Sequence, residues 1–191
     1  TDKLFPFVHP FSILKNINHC ANLRNAKAVL SGLTVLDNLT RNDNGKEAIK
    51  KANGIDCLSN VLSKFETDDD ILKMCAKIYS KIATNDDMKA QLEMLQKFYD
   101  DLKQNGSDSI KFSDLNKSLV LISNFMLVDE ICKMLCEKDN LTLLENLFTE
   151  ITKVSLDNKT EEFVDAYLLT NKYFMIIFYR IFAAKPEIYD K

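Results

Sequence analysis

Apolar residues recur along this chain at the three- and four-residue steps of an α-helix, and one such pattern returns at a fixed interval. Leu33, Leu36 and Leu39 form the first set, Ala76, Tyr79 and Ile82 the second, and Leu119, Ile122 and Phe125 the third. Each set lies on a single helical stripe, and successive sets are 43 residues apart. Three long helices of one period are predicted. Between the first two, Lys46 to Lys51 reads as a shorter helix. Gly54 then offers a positive-φ stop, and Ile55, Leu58 and Leu62 begin a new stripe. The unit is therefore short helix, glycine turn, medium helix, long helix. The later stretches Asp86 to Leu102 and Val128 to Ile151 keep the helical pattern without the glycine.

Acidic or hydroxyl side chains placed to cap helices are Asp70, Asn85 or Asp86, Ser113 and Thr160. They set the third helices near Ile71 to Ala83 and Asp114 to Leu127. The partition expected is entry helices over 11–41, repeats over about 42–154 and a closing helix over about 160–184. All belong to one domain of 191 residues. Gln104 to Lys111 is the most linker-like stretch, and the register runs across it, so it reads as a surface loop within that domain.

The run Leu36-x-Asn38-Leu39, then Ile49, then Ala52-Asn53-Gly54-Ile55-x-x-Leu58-x-x-x-Leu62 resembles the armadillo repeat, whose length of about 40 residues agrees. The likeness is strongest over residues 26–62. It implies an all-α fold, a right-handed α-solenoid of about three to four armadillo-like repeats, with third helices lining a concave wall. In the family an Asn on the third helix hydrogen-bonds the backbone of an extended peptide. This sequence matches at Asn38 and Asn124 and has Lys81 at the equivalent middle position. One turn earlier stand Thr34, Lys77 and Val120. Importin-like members carry Trp there and bind lysine-rich signals, but this chain has no Trp, and Lys77 with Lys81 would repel a cation. An acidic or phosphorylated segment suits two lysines better. The competing reading is that these Asn and Lys residues are merely solvated in a chain rich in both.

Composition narrows the function classes. With 25 basic against 28 acidic side chains the formal net charge is -3, which argues against a nucleic-acid partner, and basic residues do not cluster with aromatics. Four Gly and three Pro are too few for an all-β fold or a phosphate loop. The five cysteines lie inside apolar stretches, as reduced thiols do, so a reducing, cytoplasmic compartment is expected. No export signal is legible in Leu4 to Pro10. The most apolar run, Tyr173 to Ala184, is short for a membrane span and contains Arg180. The Asn-x-Ser/Thr sequons at Asn38, Asn105, Asn116, Asn140 and Asn158 are expected from chance in an Asn-rich chain.

Candidate chemistry is sparse. The two histidines, His9 and His19, have no visible nucleophile partner, and His19 and Cys20 point about 100° apart on one helix. Cys132 and Cys136 offer two metal ligands where structural zinc takes four. The segment Thr40-x-Asn42-x-Asn44-Gly45 begins like a calcium loop, but its twelfth position is Lys51 instead of Glu. No catalytic residue, metal or cofactor is expected.

The closing helix is apolar on nearly every side, so Tyr173, Phe174, Phe178 and Phe182 read either as its last core contacts or as an interface with another subunit. The function expected is a non-enzymatic protein–protein scaffold, a structural subunit of a hetero-oligomeric cytoplasmic or cytoskeletal assembly, ciliary assemblies included. The alternative is an adaptor that reversibly binds an extended acidic or phosphorylated peptide.

Overall fold

The computed structural model describes residues 9–65, 67–106 and 111–184, without the side chains of Asp129 and Glu130. Among these residues every regular element is an α-helix, as the three- and four-residue periodicity predicts. The chain divides into two compact units, Thr1–Ala83 and Thr84–Lys191.

Unit 1 contains α1 (Pro10–Asn22), α2 (Ala26–Leu39), α3 (Asp43–Lys51), α4 (Gly54–Lys64) and α5 (Asp69–Ile82). Helix α1 packs on α2 and α4, and α5 packs on α2 and α4, so these four close a ring; α3 touches all of them. The first two apolar sets meet in that ring. Leu33, Leu36, Leu39, Tyr79 and Ile82 are buried there, while Ala76 is half-buried. At 1.5–3 kcal/mol per fully buried large apolar side chain, such stripes are what makes these helices stable, since helices of 9 to 14 residues are marginal alone. Helix α1 lies close over α2 at Gly32, where a Cβ would meet Ile17 Cγ1 at 2.4 Å.

Caps set the starts of the helices. Asn25 and Asn42 accept from the N–H of Ala28 at 3.1 Å and of Gly45 at 2.7 Å. The cap of α5 is Asp68, which accepts from Ile71 N–H at 3.1 Å. Asp70, expected in that role, lies in the first turn, where its charge suits the helix dipole. The glycine turn also differs from expectation. Asn53 takes the left-handed conformation (φ +60°), and Gly54 opens α4. Gly54 is needed for space instead: a Cβ there would stand 2.3 Å from Ile49 Cγ2.

Unit 2 contains α6 (Asn85–Asn105), α7 (Phe112–Phe125), α8 (Asp129–Leu135), α9 (Lys138–Thr152) and α10 (Glu161–Ala184). Here α6 packs on α7, α8 and α9, while α10 packs mainly on α7 and also on α8 and α9. Helix α6 starts with Thr84 and Asp87 in a reciprocal capping box, with Thr84 as the cap instead of the expected Asn85 or Asp86. Lys111 precedes α7 in the cap position without a side-chain bond, so Ser113 does not cap. Thr160 does: its Oγ1 accepts from Phe163 N–H at 3.3 Å. Without a glycine, 85–105 runs as one helix, whereas 128–151 still breaks between α8 and α9 at Cys136 and Glu137. Of the expected loop 104–111, residues 107–110 lie outside the described residues.

Helix α10 is held to α7 by rings and by a polar pair. Phe112 meets Phe163 and Tyr167 edge-on at 5.1 and 5.9 Å. Asn116 donates to Ala166 O at 2.9 Å and accepts from Thr170 Oγ1 at 2.8 Å. Arg180 donates to Ser123 O, a carbonyl in the last turn of α7 where a cation is favoured.

Candidate functional site

The six residues expected on a concave face divide between the units. Thr34 and Asn38 lie on α2, and Lys77 and Lys81 on α5, all in unit 1; Val120 and Asn124 lie on α7 in unit 2.

In unit 1 the lysines converge on a residue the sequence did not single out. Asp37 is buried, its side chain only 10% exposed, and it accepts from Lys77 Nζ at 2.7 Å and Lys81 Nζ at 2.5 Å. Each carboxylate oxygen takes one ammonium, which ties α2 to α5 at one polar point. Burial pushes the Asp37 carboxyl up, but hydrogen bonds and charge from Lys77 and Lys81 outweigh it and hold the group below its ordinary 3.8. The cluster keeps one net positive charge. Thr34 Oγ1 bonds back to Leu30 O at 2.8 Å, and Asn38 is half-buried.

That geometry fixes a pH dependence. Because the folded carboxyl titrates below the unfolded one, its stabilisation is complete above about pH 4 and is lost as pH falls through the folded value. Urea unfolding of the parent and of Asp37→Asn from pH 3 to 6 should show the parent ahead by about 1–2 kcal/mol at pH 6. The two should converge below about pH 4. A gap that does not change with pH would show that the ion cluster is not what Asp37 contributes.

In unit 2, Val120 is half-buried and Asn124 is 7% exposed. Its Nδ2 is fully buried and has no hydrogen-bond partner among the described residues, so in this conformation that amide is closed off from a peptide lying on the surface. A buried donor without an acceptor is costly. Asn124→Leu should therefore leave unit 2 as stable or raise it by about 1 kcal/mol in denaturant unfolding; a loss above that size would mean the amide has an acceptor.

The apolar closing helix resolves into two faces. Tyr173 and Phe174 are buried inside unit 2, and Phe148 packs on Phe174 and Phe178 at 5.3 and 5.5 Å. Phe182 belongs to a different strip, with Leu168, Met175 and Tyr179, which are 51–73% exposed. At steps of seven, four and three residues these four lie along one side of α10.

The remaining reactive groups have ordinary structural surroundings. His9 caps α1, its Nδ1 accepting from Phe11 N–H at 3.3 Å, while His19 is exposed and Cys20 half-buried. Cys57 and Cys75 are buried, which pushes both thiols up to about 12 and leaves them poor nucleophiles. Cys132 and Cys136 are buried. Among the described residues no three His, Cys, Asp or Glu side chains assemble as a metal site, and no helix is long and apolar enough to cross a membrane.

Comparison with protein-family models, with curated proteins and with solved structures gives no match to this chain.

Proposed function

We propose that this chain is a non-enzymatic, armadillo-type interaction module, a right-handed solenoid of three to four helical repeats that serves as a scaffold within a larger protein assembly. The observation that carries the reading is the order of packing inside each unit. In unit 1 the helices α3, α4 and α5 have 9, 11 and 14 residues. Under the repeat reading α1 and α4 are successive second helices and α2 and α5 successive third helices, and each of those pairs is in contact. In unit 2 the same reading pairs α7 with α10, the most extensive packing there, and α6 with α9. Like packs on like, as stacked repeats require.

The partner is a protein segment lying on the third helices, and the assembly is cytoplasmic or cytoskeletal. A second reading, capture of an acidic or phosphorylated peptide, is favoured by the net positive charge left at Asp37, Lys77 and Lys81. Reversing the lysine charges is a poor test, because it would place three carboxylates together and disturb the fold. The triple replacement Asp37→Asn, Lys77→Gln, Lys81→Gln removes all charge while keeping size and hydrogen bonding. Cross-linking mass spectrometry on native complexes should place partner cross-links on α2 and α5, and the triple variant should keep them if the scaffold reading holds. Loss of a phosphopeptide partner in that variant would favour the adaptor. A parent chain that runs as a partner-free monomer in native extracts would overturn both.

A further inference from the structure

Unit 1 carries a second feature, unconnected with the third helices: a cleft of about 610 Å³ along α1 and α4, a size typical of ligand sites. Its walls are two rows at helical spacing, Lys15, Asn18 and Asn22 on α1 facing Asn53, Asp56 and Asn60 on and before α4. Four of these six are carboxamides. Asn60 Nδ2 donates to Asn18 Oδ1 at 3.0 Å and joins the walls. Asn22 and Asn53 are exposed. Asn53 occupies an N-cap position, where an Asn oxygen ordinarily caps the helix; its left-handed backbone (φ +60°) leaves it with no such bond. The deepest lining residues are apolar: Leu14 and Cys57 are buried, and the thiol donates to Leu14 O at 3.5 Å. Phe11, which also lines the cleft, is 58% exposed.

A carboxamide offers one acceptor and two donors, which matches a peptide group whatever the side chain beside it. The repeat also fits. Asn18 and Asn22 are four residues apart on a helix, about 6 Å along its axis, and an extended chain repeats its same-side groups about every 6.6 Å. Lys15 on one wall and Asp56 on the other cancel, so neither sign of ligand charge is selected. The exposed ring of Phe11 is a ready contact for an apolar side chain. We propose that this cleft binds an extended, uncharged segment of a partner protein through its main chain. The assignment is independent of the reading of α2 and α5, and either can fail alone.

The test uses the full chain, isotope-labelled for side-chain amide NMR, and the capped peptide acetyl-Phe-Thr-Val-Thr-Val-Thr-amide as probe. The signals of Asn22 and Asn53 should shift saturably, with a Kd below about 1 mM. The same peptide with its backbone nitrogens methylated keeps every side chain but loses the N–H donors, and it should bind at least about tenfold more weakly. Asn22→Ala with Asn53→Gly should cost a similar factor; Gly suits the left-handed position, and both sites are exposed, so folding is retained and is checked by the melting curve. No saturable shift, equal binding of the methylated peptide, or equal binding by the variant would each overturn the proposal.

Discussion

Replacing Phe174 by Ala is expected to cost unit 2 about 3–5 kcal/mol, the range for deleting a buried aromatic ring. The ring is fully buried and lies 5.3 Å from Phe148 and 6.1 Å from Phe178, with α7 and α9 packed on the same helix, so the hole is lined by several elements and closes poorly. At roughly 2–4 °C per kcal/mol for a chain of this size, melting should fall by about 6–20 °C. Phe182→Ser on the exposed strip is the control and should stay within about 0.5 kcal/mol. Guanidinium unfolding followed by circular dichroism measures both. A small loss at Phe174, or a large one at Phe182, would reverse the assignment of the two faces of α10.

That contrast marks where sequence patterning stops being informative. Both faces of α10 are apolar: Phe174, Ile177 and Ile181 on the buried side, Leu168, Met175, Tyr179 and Phe182 on the exposed one. Periodicity needs a polar side to define the apolar one, so it located the helix at 160–184 within a residue and could not orient it. Elsewhere polar spacing was strong enough. The stripes of α2, α5 and α7 were legible because exposed polar residues, Ser31 and Thr34 on α2, Lys73 and Lys77 on α5 and Lys117 on α7, fall between their buried ones.

The cluster at Asp37 was missed for a different reason. Its partners are 40 and 44 residues away, and an acidic residue beside an apolar stripe reads as solvated until two helices are placed in register. The 43-residue interval contained that signal, since it puts the turn holding Lys77 and Lys81 opposite the one holding Asp37. Asn124 shows the reverse limit. A helical wheel gives direction and not depth, and from Ile122 to Met126 every residue at the end of α7 is buried.

The other large effect belongs to the junction of α2 and α3. Gly45 lies in the first turn of α3, its N–H held by Asn42 Oδ1 at 2.7 Å. A Cβ there would stand 1.9 Å from Leu39 O and 2.9 Å from Leu39 C, both main-chain atoms of the last residue of α2. Ala is the better helix former by about 1 kcal/mol, so propensity alone predicts that Gly45→Ala stabilises. Sterics should win. A clash with a side chain can be relieved in part by a shift of that side chain, as at Gly32, where the atom met is Cγ1 of the buried Ile17, but a carbonyl at the end of a helix moves only with the helix. We expect Gly45→Ala to cost about 3 kcal/mol or more, the upper end of overpacking penalties, and Gly32→Ala about 1–2 kcal/mol, the shift of the buried Ile17 less the gain in propensity. Because the last turns of α2 also carry Asp37, the Gly45 variant should lose part of the acid-sensitive stability described above, which Gly32→Ala should keep. Unfolding titrations of both variants at pH 3 and pH 6 measure this. A neutral or stabilising Gly45→Ala would mean that α3 does not turn directly over the end of α2, and the close helix junction on which the repeat reading depends would be lost.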